Sequence, residues 1–133
     1  MDPFLKGRPT YRLTCRFVLT SSSRDPAEVT RILGQPPDKS WRLGEPRSKS
    51  TLVHDHSAWI LVQCSPESAS VGDQLAALID RVRPLLVEGV PEGWEAQVSC
   101  EILSHGEFPS MTLAPGILRF LADVGASLDV DLM

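Results

Sequence analysis

Cysteine and histidine are scarce in this chain of 133 residues, with three of each, and the aromatics number eight: three Trp, four Phe and one Tyr. Cys15, Cys64 and Cys100 are far apart and odd in number, which argues against a disulfide framework and for a reducing compartment. No apolar run approaches the ~18 residues of a membrane span. The opening MDPFLKGRPT has no basic segment followed by an apolar one, so no secretory leader is expected and the cytosol is the expected location. Phosphate-cradling glycine loops, the GxSxG elbow and the HExxH metal motif do not occur, which removes the common sequence signatures of nucleotide, hydrolase and zinc-protease chemistry. No cofactor is expected.

What is present suits one globular domain. Apolar residues make up 42% and charged residues 23%, and a domain of this size buries roughly 65–70% of its unfolded surface. Eleven prolines and nine glycines fall mostly between periodic segments. Net charge is −4, unevenly spread: residues 1–53 carry ten basic and five acidic side chains, a balance of +5, and residues 54–133 carry three and twelve, a balance of −9. Either the halves interleave in the fold and offset each other, or one face is basic.

Residues 1–10 read as an N-terminal arm and 11–133 as a single domain. Residues 11–20 alternate, with Tyr11, Leu13, Cys15, Phe17 and Leu19 on one side, a half-buried strand. Asp25-Pro26-Ala27-Glu28 starts a helix: Asp25 caps, Pro26 suits the first turn, and Glu28 can close a capping box. Gly34 and Pro36-Pro37 end it. Residues 40–46 read as a short irregular strand or arm. Residues 58–64 are apolar on both faces, as in a central strand, with Ala58, Ile60, Val62 and Cys64 expected to face the core. Ser70 caps a helix whose apolar residues are Leu75, Leu78, Ile79 and Val82; Pro84 should kink or end it. Trp94, Ala96, Val98, Cys100 and Ile102 form the inward row of a third strand. A last helix over 115–124 and a strand of Leu128, Val130 and Leu132 follow. This order predicts an α+β fold: a ferredoxin-like βαββαβ core with an appended helix and C-terminal strand, mostly antiparallel, helices on one face. A right-handed crossover would lay the closing strand parallel beside the Trp94 strand.

Two stretches carry a resemblance. YRLTCRFVLTSSSRDPAEVTRILGQPPDKSWRLGEPR resembles the opening of bacterial proteins of the domain of unknown function 4279 family: a strand, a D-P-x-x-[IV] helix start, an L-G stop and an S-W-R-x-G-E segment. FPSMTLAPGILRFLADVGASLDVDLM is similar to the family's closing helix and its alternating L-D-[VI]-D strand. The last helix departs from the pattern, beginning Ala114-Pro115-Gly116 in place of a capping serine and a glutamate; alanine caps poorly, at a cost of about 1 kcal/mol. The resemblance implies a bacterial protein and a fold. It implies no activity and no site.

Among individual residues, Trp41, Arg42, Glu45 and Arg47, with Lys49 beyond, are the candidate partner-binding set, because Trp and Arg dominate protein interfaces. The bland alternative has Trp41 plugging the core and Arg42 pairing with an acid. His54 and His56 project to one side of an extended segment and could ligate a metal, yet no third ligand lies nearby. Asp129 and Asp131, with Glu95 and Glu101, could bind a hard cation or act as an acid/base pair; a solvated sheet face with Arg12 and Arg16 as cross-strand partners is the plainer reading. Outward positions of the first strand lack the aromatics that stack RNA bases, so nucleic-acid binding is not expected. Trp59 and Leu61 on an open sheet face would suit homodimerisation. The expectation is a non-enzymatic interaction or regulatory protein. The alternatives are an immunity-type protein neutralising a basic toxin, and a hydrolase or metal-dependent enzyme using Asp129/Asp131 or His54/His56.

Overall fold

Regular alternation makes the two central strands. In β1 (Tyr11–Ser21) Leu13, Cys15, Phe17 and Leu19 are buried, and in β4 (Glu95–Ser104) Ala96, Val98, Cys100 and Ile102 are buried. The two pair antiparallel with Phe17 opposite Val98 and Cys15 opposite Cys100, so both apolar rows share one face. The computed structural model describes residues 11–47, 52–64, 70–104, 106 and 108–133; the arm at 1–10 and Lys49 lie outside them. On the far side of β4, β5 (Ser127–Leu132) runs parallel, with Leu128 beside Val98, joined to β4 by a crossover through α3. On the other side of β1 come β3 (Ser57–Cys64) and then β2 (Lys39–Trp41), each antiparallel to its neighbour. The sheet order is β2-β3-β1-β4-β5. The sheet is mixed, and β5 is its parallel member.

Three helices supply the other half of the core. α1 (Pro26–Leu33) packs on β3, α2 (Val71–Val82) on β1 and β3, and α3 (Pro115–Val124) on α2. Val29, Val71, Leu75, Leu78, Ile79, Val82, Ile117, Phe120 and Leu121 join the buried sheet rows in one cluster. Local chemistry sets the helix ends. Asp25 caps α1 by accepting from the Ala27 N–H at 2.9 Å, and Gly34 closes it at φ +70°. The expected capping box does not form, because Arg24 takes the Glu28 carboxylate at 2.8 Å. Ser70 caps α2 through the Asp73 N–H. Pro84 tightens the chain into a 3₁₀ turn, Arg83–Leu86, that continues α2. At α3 the uncapped start is closed by the backbone, with the Ile117 and Leu118 N–H groups both returning to the Ala114 carbonyl. No helix among the described residues is long and apolar enough to cross a membrane.

One expectation is overturned. The register sets Leu19 opposite Trp59 and Phe17 opposite Leu61, so Trp59 and Leu61 face the helices, while Ala58, Ile60, Val62 and Cys64 face the other way. Trp59 is fully buried and its Nε1–H donates to Thr30 Oγ1 of α1 at 3.1 Å. Cys64 is exposed. The reversal has a physical cause. Ala58 and Ile60 are also buried, with Trp41 and Lys39 opposite them on the second face. A strand covered on both faces loses the alternation that reveals its orientation. Trp59 and Leu61 therefore offer no surface for a homodimer.

Candidate functional site

After β2 the chain makes a tight turn. The Glu45 N–H donates to the Arg42 carbonyl at 3.0 Å, and Gly44 sits at φ +82°, a left-handed conformation natural to glycine. Glu45 Oε2 accepts from the Arg42 N–H at 3.3 Å, and Leu43 donates its N–H to Ser57 Oγ at 2.9 Å. Residues 44–47 then pair with residues 52–54. The Gly44 N–H reaches the His54 carbonyl, the His54 N–H reaches the Glu45 carbonyl, and the Arg47 N–H reaches the Leu52 carbonyl, all within 2.8–2.9 Å, with Pro46 bridged to Val53. Residues 42–47 and 52–56 thus form the two sides of a paired arm rooted between β2 and β3.

The four candidate partner-binding residues occupy different stations on this arm. Trp41 is half-buried at its root. His54 stacks on the indole at 4.4 Å and 13°, and His56 meets it edge-on at 6.0 Å; Trp41 Nε1 is buried with no hydrogen-bond partner. Arg42 is 68% exposed and its Nε lies 3.4 Å from Asp25 Oδ2 at the start of α1. Glu45 is committed to the turn. These three converge with Asp25, Thr30 and Ser40 on a groove of about 380 Å³. Arg47 stands apart on the outer rung. The arm also exposes Leu43, Leu52 and Val53, at 47%, 61% and 55%. Those three were not singled out in the sequence, where a run of polar residues separates Leu43 from Leu52; the hairpin brings them onto one element.

The histidine pair is engaged with Trp41, and His56 Nδ1 also pairs with Asp55. That hydrogen bond, and then the nearby imidazole charge, hold the Asp55 carboxyl below its ordinary value. Among the described residues no group of three or more His, Cys, Asp and Glu side chains is placed to hold a metal ion. The acidic row behaves as a solvated sheet face: Arg16 pairs with Glu101 at 2.7 Å, and Gln97 donates to Asp129 at 3.2 Å. Asp129 and Asp131 are exposed and line none of the grooves described here. The uneven charge is thereby partly offset inside the sheet. Among the described residues, Lys39, Arg42 and Arg47 lie toward the β2 edge and Asp129 and Asp131 on the β5 edge.

Two further features were not anticipated. A groove of about 360 Å³ runs between α2 and the start of α3, and one of about 480 Å³ between the 3₁₀ turn and α3, the two sharing Arg83 and Gly116; the Arg83 guanidinium lies 5.8 Å from the centre of the Phe120 ring, within cation–π range. In the core, Cys15 Sγ and Cys100 Sγ are 3.3 Å apart. Either thiol can donate the hydrogen bond between them, and that bond, with burial, pushes the first ionisation of the pair, at Cys15, up. The core-facing position of each cysteine is legible from alternation; their opposition depends on the register.

Comparison with curated proteins and with solved structures finds no match. A family model described as "Domain of unknown function (DUF4279)" matches residues 9–133, nearly the whole length, and the chain belongs to that family.

Proposed function

We propose that this protein is a non-enzymatic binding domain that docks a partner protein through the hairpin arm at the β2 edge. The observation that carries this reading is the composition of the arm. Arg42 and Arg47 flank three exposed apolar side chains, Leu43, Leu52 and Val53, on an element braced at its root by the Trp41–His54 stack. Arginine beside apolar anchors is the composition of interface hot spots. The partner suited to it presents an apolar pocket rimmed by carboxylates. The scaffold is read as a ferredoxin-like unit, supported by the antiparallel order β2-β3-β1-β4, with α3 and β5 appended and a cytosolic setting.

The test is photo-crosslinking from a benzophenone side chain placed at Leu43 or Val53, with Val87 as a control exposed at 82% outside the arm. Discrete adducts are expected from the arm positions and not from Val87, and the double charge reversal Arg42→Glu/Arg47→Glu should remove them. Equal crosslinking from Val87, or adducts indifferent to the charge reversal, would place the interface elsewhere.

A further inference from the structure

The two central strands are joined across the core by a second feature, independent of the arm. Cys15 and Cys100 stand directly opposite each other on β1 and β4, with 0% and 1% exposure and their sulfurs 3.3 Å apart. The third cysteine, Cys64, is on the outward face of β3 and exposed. Directly opposed residues of antiparallel strands have Cα atoms about 4.5–5.5 Å apart, inside the ~4.4–6.8 Å window of disulfides. Bonding requires the sulfurs to approach to about 2.05 Å, a movement that small side-chain rotations supply.

We propose that Cys15 and Cys100 are a peroxide-oxidisable dithiol, whose disulfide fastens β1 to β4. Either sulfur can be the attacking one, since either can donate the hydrogen bond between them; with Cys100 in that role the steps are these. Its thiolate attacks one oxygen of hydrogen peroxide, the O–O bond breaks, and the hydroxide released takes up a proton to leave as water. The product is a sulfenic acid at Cys100. The Cys15 sulfur then attacks the Cys100 sulfur, the Cys15 proton leaves with the sulfenic oxygen, and a second water departs. Two thiols and one peroxide become one disulfide and two waters, with the two sulfurs losing two electrons and the peroxide oxygens gaining them. Burial gives the pair its selectivity. A small uncharged oxidant can enter where glutathione disulfide cannot. The adjacent thiol traps the sulfenic acid before further oxygen adds. The same burial shields the finished bond from thiol reductants in the folded state.

The experiment uses the full chain carrying Cys64→Ser, so that the two core thiols are the only ones left. The folded protein is exposed to hydrogen peroxide, quenched, denatured in iodoacetamide, digested and mapped by mass spectrometry, so that sulfoxide at the exposed Met111 and Met133 is counted apart from the cysteines. The expected result is a Cys15–Cys100 linked peptide pair about 2 Da lighter than the two free peptides together, with no alkylation of either cysteine, restored to two alkylatable thiols by reductant after denaturation. Glutathione disulfide applied to the folded protein should leave both thiols free. In the Cys15→Ala/Cys64→Ser variant, peroxide should instead leave oxygen adducts on Cys100. The proposal is overturned if the Cys64→Ser protein keeps two alkylatable thiols after peroxide, or if Cys15 or Cys100 gains oxygen in place of forming the linked pair.

Discussion

β3 and β4 lie on either side of β1 and pair with it in the same antiparallel sense, yet their sequences report very different things. β4 is covered on the helix side and wetter on the other, so Ala96, Val98, Cys100 and Ile102 alternate with Glu95, Gln97, Ser99 and Glu101. Its orientation follows from polarity alone. β3 is buried continuously from Ser57 through Leu61, because its second face is covered too. Alternation measures the difference in burial between two faces, and where both are dry it says nothing about which one meets the helices. The same comparison bears on function. The covered second face of β3 adjoins β2, where the hairpin arm is rooted, and the polar face of β4 continues into the open acidic edge of β5.

The largest expected effect is at Trp59. Replacing it with alanine removes a fully buried indole and its bond to Thr30, and should cost about 3–5 kcal/mol in denaturant unfolding. Trp59→Phe should retain most of the packing and lose chiefly the hydrogen bond. An outward-facing Trp59 would instead make the alanine change nearly silent. Next comes a glycine pair. A Cβ on Gly72 would lie 2.8 Å from the Thr112 carbonyl oxygen, where the β4–α3 connection passes the start of α2, whereas a Cβ on Gly116 meets nothing within 4 Å. Gly72→Ala should destabilise by about 1–3 kcal/mol and Gly116→Ala should stabilise by about 0.5–1 kcal/mol, a difference in sign that thermal melting resolves.

Smaller effects belong to the polar surfaces. A double-mutant cycle on Arg16 and Glu101, half exposed on the face shared by β1 and β4, should return about 0.2–1 kcal/mol and shrink in salt. At the arm, the lowered Asp55 carboxyl contributes stability that is present above the ordinary aspartate range and lost as pH falls through its depressed value. Asp55→Asn should remove that acid-side dependence. The change is to be read as chemical shift at His56 across an acid titration, since a fully exposed pair moves global stability little.

Much of the scaffold was legible because local signals and burial agree. β1, β4 and β5 declared themselves by period two, α1 and α2 by their caps and apolar stripes, and the parallel placement of β5 by crossover handedness. The arm was only half legible. Trp41, Arg42, Glu45 and Arg47 stood out by type, but Leu43, Leu52 and Val53 share one element only because residues 44–47 pair with 52–54, and that pairing leaves no periodic trace. Cys64 faces outward with the reversal of β3 as a whole, since a one-residue choice of face moves every side chain on the strand.

Native thiol labelling tests this orientation most directly. Folded protein treated briefly with iodoacetamide under reducing conditions, then digested and mapped by mass spectrometry, should carry the label on Cys64 and leave Cys15 and Cys100 unmodified until denaturant is added. Protection of all three thiols would contradict the account. It would turn β3 over, bring Trp59 to the surface and remove the frame on which the arm is placed.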